Sequence, residues 1–149
     1  MIIADLKKIE ARTYPAGRNT QNLVGGPSPI QAKNFCIGFV TLKPKGGQVP
    51  WHNQEQEEVY IVLEGTGEVV IGEEYQRLET GQCVYIPSRI FHQITNICDS
   101  PLRIIYCYGP AGDVAHWRQE LDGILPKAGL DAPSLPPGAR PQFQGKSLL

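Results

Sequence analysis

The chain has 149 residues, 41% hydrophobic and 19% charged, with fourteen basic against fifteen acidic side chains and a formal charge of −1. That length suits one domain with its own core, and the composition excludes a disordered chain. The near-neutral balance offers no basic face to nucleic acid or an anionic membrane, and no apolar run approaches a membrane span.

The N-terminal stretch MIIADLKKIEART carries Asp5, Lys7 and Lys8 where a secretory signal needs its apolar core. A cytoplasmic location is therefore expected. The first thirty residues read as irregular, with GGPSP at 25–29 as a loop. Between 34 and 109 the chain reads as short strands. NFCIGFVTL (34–42) comes first and KPKGG (43–47) turns the chain; EVYIVLEG, GEVVIG, EYQRLE, QCVYIP, FHQITN and LRIIYCYG follow. These segments are rich in β-branched and aromatic residues and are cut by Gly65, Gly67, Gly72, Gly81, Pro87 and Pro101. No helical pattern intervenes, which argues against βαβ units and predicts an all-β antiparallel sandwich or small barrel.

After Ala111 the period changes. Val114, Trp117, Leu121 and Ile124 recur at helical spacing, with Asp113 at the positive end of the dipole and Pro126 and Gly129 as stops. This predicts a short helix with those four residues on its buried face and His116 on its polar, exposed side. The proline-rich remainder is expected to be an extended arm or a disordered tail, and PSLP (133–136) fits a dimer-embracing arm better than a recognition peptide. Residues 1–149 thus form one domain, with the barrel core at about 35–109 and the helix and tail at 111–149. Cys36, Cys83, Cys98 and Cys107 form no CxxC pair, so buried free thiols are expected, although spacing alone leaves disulfides open.

The chemistry concentrates in PWHNQEQEEVYIVLEG (50–65) and GQCVYIPSRIFHQITN (81–96). Strand side chains alternate faces, so His52, Gln54 and Glu58 share one parity, with Glu55 and Glu57 opposite and solvated. His92 supplies a second imidazole. Two imidazoles and a carboxylate are the usual protein ligands of a catalytic first-row metal, and Gln54 adds a neutral oxygen. Tyr60 shares the parity of Glu58 and is read either as a hydrogen-bond donor or acid, or as core packing. Tyr106 and Tyr108 face inward, to touch a ligand or to pack. EGTGEVVIG (64–72) lacks the GxGxxG spacing of a nucleotide loop and is read as a hairpin turn.

The spacing Gly46-x5-His52-x-Gln54-x3-Glu58-x6-Gly65 resembles the first motif of the cupin superfamily, and Gly81-x5-Pro87-x-Arg89-x2-His92-x3-Asn96 resembles the second. The resemblance covers about residues 35–109. It implies a double-stranded β-helix, or jelly-roll, barrel with a divalent transition metal (Mn, Fe, Ni or Zn) held by His52, Gln54, Glu58 and His92, commonly in a homodimer. Two residues depart from the pattern. Gln54 stands where most metal-binding members have a second histidine, which weakens the site and favours oxygen-loving metals. Arg89 replaces the usual glycine after Pro87; it is read either as a rim residue suited to an anionic substrate or as a solvated turn residue.

Two classes of function follow. One is a metal-dependent enzyme acting on a small oxygen-bearing metabolite (a sugar, sugar phosphate or hydroxy/keto acid) by isomerase, lyase/decarboxylase or dioxygenase chemistry, with Glu58 and Tyr60 as catalytic candidates and Arg89 and Tyr106 binding substrate. The other is a non-catalytic module binding carbohydrate or carboxylate. A DNA-binding regulator is disfavoured, because no helix-turn-helix flanks the barrel and no basic face is present.

Overall fold

The computed structural model describes residues 1–145. Ten strands precede one helix: β1 (Arg12–Tyr14), β2 (Arg18–Val24), β3 (Cys36–Leu42), β4 (Gln48–His52), β5 (Glu57–Glu64), β6 (Thr66–Ile71), β7 (Glu74–Glu79), β8 (Cys83–Ile86), β9 (His92–Asn96), β10 (Leu102–Gly109) and α1 (His116–Leu121). They form a six-stranded sheet in the order β1-β2-β3-β10-β5-β8 and a four-stranded sheet in the order β4-β9-β6-β7. Every strand pairing is antiparallel. The fold is a jelly-roll barrel. Its interior is packed by Val40, Leu42, Val62, Ile94, Leu102 and Ile104, all supplied by the alternating inward positions of the strands.

The strands expected between 34 and 109 are present, β4 is a strand that was not expected between the KPKGG turn and EVYIVLEG, and two further regions differ from the sequence reading. The first thirty residues are not irregular, since they contain β1 and β2. In β2 burial alternates strictly, but the inward side chains are Arg18, Thr20, Asn22 and Val24. A strand whose inner face is mostly polar shows no hydrophobic period, so periodicity cannot reveal it.

The predicted helix exists, but a different face is buried. Val114 is buried and Trp117 packs on the core, whereas Leu121 is 42% and Ile124 65% exposed. His116 and Glu120, four residues apart, point into the barrel instead, so the expected exposure of His116 is overturned. The cause is Arg18, buried inside the barrel with Glu120 as its ionic partner. Leaving a buried guanidinium unpaired costs more than leaving one leucine in water.

Every residue of β4 and β9 is buried, on both faces. The outer face is covered by the proline-rich arm, which lies extended on its own barrel. Trp51 Nε1 donates to the Pro133 carbonyl at 2.9 Å, Gln93 Nε2 to that of Arg140 at 2.8 Å, and the Phe143 amide to Gln48 Oε1 at 2.7 Å. Residues 146–149 of the expected tail lie outside the described residues. No cysteine is paired; Cys36 alone is buried, while Cys83 is exposed on β8 and Cys98 and Cys107 are half-buried. Among the described residues, no helix is long and apolar enough to cross a membrane.

Candidate metal centre

The β4–β9 pairing sets His52 directly opposite His92, with ring centroids 4.2 Å apart. An irregularity between Val49 and His52 shifts the pleat, so the inward positions of β4 are three residues apart rather than two. Each ring is oriented by a backbone carbonyl two residues earlier. His52 Nδ1 donates to Pro50 O at 2.6 Å, and His92 Nδ1 donates to Ile90 O at 2.8 Å. A carbonyl only accepts, so in the neutral rings both Nε2 atoms carry lone pairs.

Glu58 is the first inward residue of β5. Its Oε2 lies 3.3 Å from His92 Nε2, yet neither atom makes a hydrogen bond, and His52 Nε2 has no partner either. Ligand atoms of His52, Glu58 and His92 lie within 4.8 Å of one another, and all three residues are buried. Buried acceptors facing one another are costly unless a proton or a cation stands between them. The donor set fits a divalent cation, and the carbonyl-oriented imidazoles match the outer-sphere support that metal-bound histidines generally have.

Without a cation, burial dominates the electrostatics. It holds His52 well below the ordinary imidazole range, and the nearby His92 adds to the effect. Burial raises Glu58 above the ordinary carboxylate range, partly offset by His92. Tyr60 is pushed well above the ordinary phenol range by burial and by the Glu58 charge, so it keeps its proton and serves as a hydrogen-bond donor rather than as a base. Its ring stands edge-on to His92 at 6.0 Å.

A cavity of about 10 Å³, the volume one water needs, lies beside these ligands. Gln54, Glu58, Tyr60, Tyr106, Arg18 and His116 are among its walls. Gln54 Nε2 is buried without a partner, and a half-turn of the amide would present its oxygen there instead. Tyr106 accepts from Asn22 Nδ2 at 2.8 Å and stacks on Tyr108 at 5.7 Å. Its ring lies over Gly38 on β3, where a Cβ would come within 2.2 Å of it, so only glycine leaves room.

Thus His52, Glu58 and His92 converge, with Gln54, Tyr60 and Tyr106 on the adjoining wall. Arg89, the expected substrate-binding residue of the rim, is not among the walls of this cavity. Its side chain is 73% exposed and its Nε pairs with Glu55 Oε2 at 2.9 Å. Its backbone adopts φ +66°, a left-handed conformation in which glycine is unstrained.

Three residues of the site escaped the sequence reading: Arg18, His116 and Glu120. The His116 ring stacks on that of His52 at 3.7 Å with a 22° tilt, and its Nδ1 is buried without a partner. Burial, reinforced by His52, holds it well below the ordinary imidazole range. All three histidines of the chain meet at this one place, a signal available from their scarcity alone. Arg18, 1% exposed, stacks on the Tyr14 ring at 3.7 Å, donates to Thr20 Oγ1 at 3.3 Å and pairs with Glu120.

The site is thus a jelly-roll barrel in which two imidazoles and a carboxylate converge at one end as a donor set that fits a metal. The chain belongs to the cupin superfamily: the family model described as "Cupin domain" matches residues 38–108. Among curated sequences, the uncharacterized protein MJ1618 of Methanocaldococcus jannaschii is 35% identical over 70 residues, which are 46% of this chain and 56% of that relative. The match therefore spans little more than half of the relative's length. Among solved structures, an RmlC-like cupin from Shewanella frigidimarina superposes with a TM-score of 0.63 at 18% identity, covering 74% of this chain and 92% of the other. The oxalate decarboxylase OxdC of Bacillus subtilis superposes with a TM-score of 0.66 at 17% identity, covering 76% of this chain and 30% of that one. These two likenesses are likenesses of fold.

Proposed function

We propose that the protein is a metal-dependent enzyme acting on a small oxygen-bearing metabolite (a sugar, sugar phosphate or hydroxy or keto acid) by isomerase, lyase/decarboxylase or dioxygenase chemistry. The observation that carries this reading is the buried set of unpartnered acceptors on His52, Glu58 and His92. A cation bound there (Mn, Fe, Ni or Zn) would supply Lewis-acid polarisation of a substrate oxygen.

The chain's own residues have distinct tasks. His52 and His92 offer lone pairs whose direction is set by Pro50 and Ile90. Glu58 brings the negative charge, and Gln54 adds a weaker neutral donor where most family members have imidazole. Tyr60 donates a hydrogen bond to the bound molecule, and the Tyr106 hydroxyl, held by Asn22, positions it. Val114, His116 and Trp117 of the C-terminal segment wall the cavity and exclude water. That oxalate decarboxylase shares this fold supports an enzymatic reading. A soluble cytoplasmic homodimer is the setting proposed for it.

A second reading, a non-catalytic module for carbohydrate or carboxylate, is favoured by one observation: Gln54 replaces an imidazole at the centre. Metal analysis of untagged protein decides the shared premise. Wild type is expected to hold close to one equivalent of a first-row metal, and His52→Ala and His92→Ala almost none. Equal trace metal in all three would end the metal reading. Gln54→His is expected to bind metal more tightly, and unchanged affinity would remove Gln54 from the ligand set. Turnover lost in Glu58→Gln while ligand binding persists supports the enzyme; ligand binding with no turnover of sugars, sugar phosphates or keto acids supports the module.

A further inference from the structure

We infer that Arg18 is the carboxylate-binding residue of this site: a small acid enters the cavity by replacing Glu120 on the guanidinium, and α1 leaves the barrel mouth as it does so. The inference rests on the reading that the cavity beside His52, Glu58 and His92 receives a small oxygen-bearing ligand, and it selects acids from the classes proposed above.

Arg18 is an inward residue of β2 and shares the cavity wall with Gln54, Glu58 and Tyr60. Where β3 and β10 fill the interior with Val40, Leu42 and Ile104, β2 presents Arg18, Thr20 and Asn22. Those polar side chains add little to the apolar core.

Glu120 holds only part of the guanidinium. Arg18 Nη2 donates to Glu120 Oε2, while Glu120 Oε1 accepts from the Ala16 amide at 3.3 Å. Arg18 Nε stays buried with no partner at all. The internal carboxylate therefore grips one corner of the fork. A free acid bound side-on through Nε and Nη2 makes the bidentate pair that Glu120, tethered to a helix, does not make.

A buried guanidinium needs an anion, so Glu120 is exchangeable only for another negative group. A neutral ligand in the same place would leave Arg18 unpaired, whereas a carboxylate keeps the local charge constant. The exchange thus favours acids over their neutral analogues.

α1 has six residues, buries His116 and Glu120, and leaves Leu121 and much of the following Ile124 in water. Polar pairing holds it more than apolar burial does. The cavity admits little more than a water, so a larger ligand needs a wall to move, and Val114, His116 and Trp117 of this segment form a wall not built on a strand.

The test uses pyruvate and glycolate against pyruvamide and glycolamide, on metal-free and on Mn-loaded full-length protein. Calorimetry reads affinity. Fluorine NMR of protein labelled with fluorotryptophan reads α1, since Trp117 lies on that helix and Trp51, the other tryptophan, does not. Wild type is expected to prefer each acid over its amide by on the order of tenfold, the worth of one charge-assisted hydrogen bond. Saturating acid should also move the Trp117 resonance. Glu120→Gln, which weakens the internal competitor, should bind the acids more tightly than wild type. The uncharged pair Arg18→Gln with Glu120→Gln leaves no lone buried charge and should lose the preference.

Equal binding of acids and amides by wild type overturns the inference, as does a preference that survives in the uncharged pair. A Trp117 resonance unmoved by bound acid overturns it too. If acid preference appears only with Mn and does not depend on Arg18, the metal alone recognises the acid; the inference fails and the enzyme reading stands. Arg18-dependent preference in a protein that binds no metal would uphold the inference and remove the metal reading.

Discussion

Two groups of polar side chains meet at the barrel mouth, and they are held in different ways. His52, Glu58 and His92 sit on paired strands, and backbone carbonyls orient both of these imidazoles. His116 and Glu120 sit on a six-residue helix and are held through their side chains, by the His52 ring, the Arg18 guanidinium and the Ala16 amide. Rigid strands suit groups that must converge on a point before anything binds there. A short helix held by side chains suits groups that give way. The contrast shows how one buried site combines preorganised donors with a removable wall.

The largest expected effect tests the helix side. Glu120→Ala leaves Arg18 buried without an anion and should cost about 3–5 kcal/mol in urea denaturation. Arg18→Met with Glu120→Leu removes both charges and should recover most of that loss. If Glu120→Ala costs under about 1 kcal/mol, the pair is no latch and the contrast between strands and helix dissolves.

The pH dependence sharpens the comparison. His52 and His116 are both held low, chiefly by burial. The folded protein therefore resists protons that the unfolded chain accepts near the ordinary value of about 6.5. Their contribution to stability is complete above that value and is lost as pH falls through it towards the lower folded-state values. Glu58 is shifted upward and acts oppositely, losing stability as pH rises from the ordinary carboxylate range to its folded-state value. Metal-free protein should thus lose stability from about pH 7 to about pH 5. His116→Phe keeps an aromatic ring against His52 and removes one of the two imidazole contributions. A shallower slope in that variant, read from urea midpoints across the range, assigns the share carried by the helix. An unchanged slope would leave the effect with His52.

The smallest effect lies in the loop beside Gln54. Arg89 has φ +66°, and its amide donates to the Gln54 carbonyl at 2.7 Å. Arg89→Gly relieves the left-handed strain and loses an exposed ion pair to Glu55 that is worth little. The net change should be under about 1 kcal/mol in favour of glycine, with metal content unchanged. A fall in metal content would show that Arg89 positions Gln54.

Much of the site was legible in the sequence because motif residues act over short range. His52, Gln54 and Glu58 lie within seven positions, and a strand pairing carries His92 to them, so spacing along extended chain specifies where they point. The same holds for strands such as EYQRLE and LRIIYCYG, whose bounds match β7 and β10. The helix was legible as an element but not in its orientation. Val114, Trp117, Leu121 and Ile124 describe an apolar stripe, yet a stripe says nothing about a partner 102 residues away.

What the sequence by itself determined, then, is the barrel and the convergence of its two motif histidines with Glu58. Alternation along strands and the breakers between them are local and predict an antiparallel sandwich or small barrel; the jelly roll, and His92 beside His52, are what the resemblance of the two motifs implies. Only the tertiary structure decided that RNTQNLV is a strand facing inward, that Arg18 rather than Arg89 is the arginine of the cavity, and that His116 completes the set of buried imidazoles. Each of these depends on a charge or ring finding its counterpart across the barrel. A buried guanidinium must be paired wherever its partner lies in the chain, and no periodicity records that requirement.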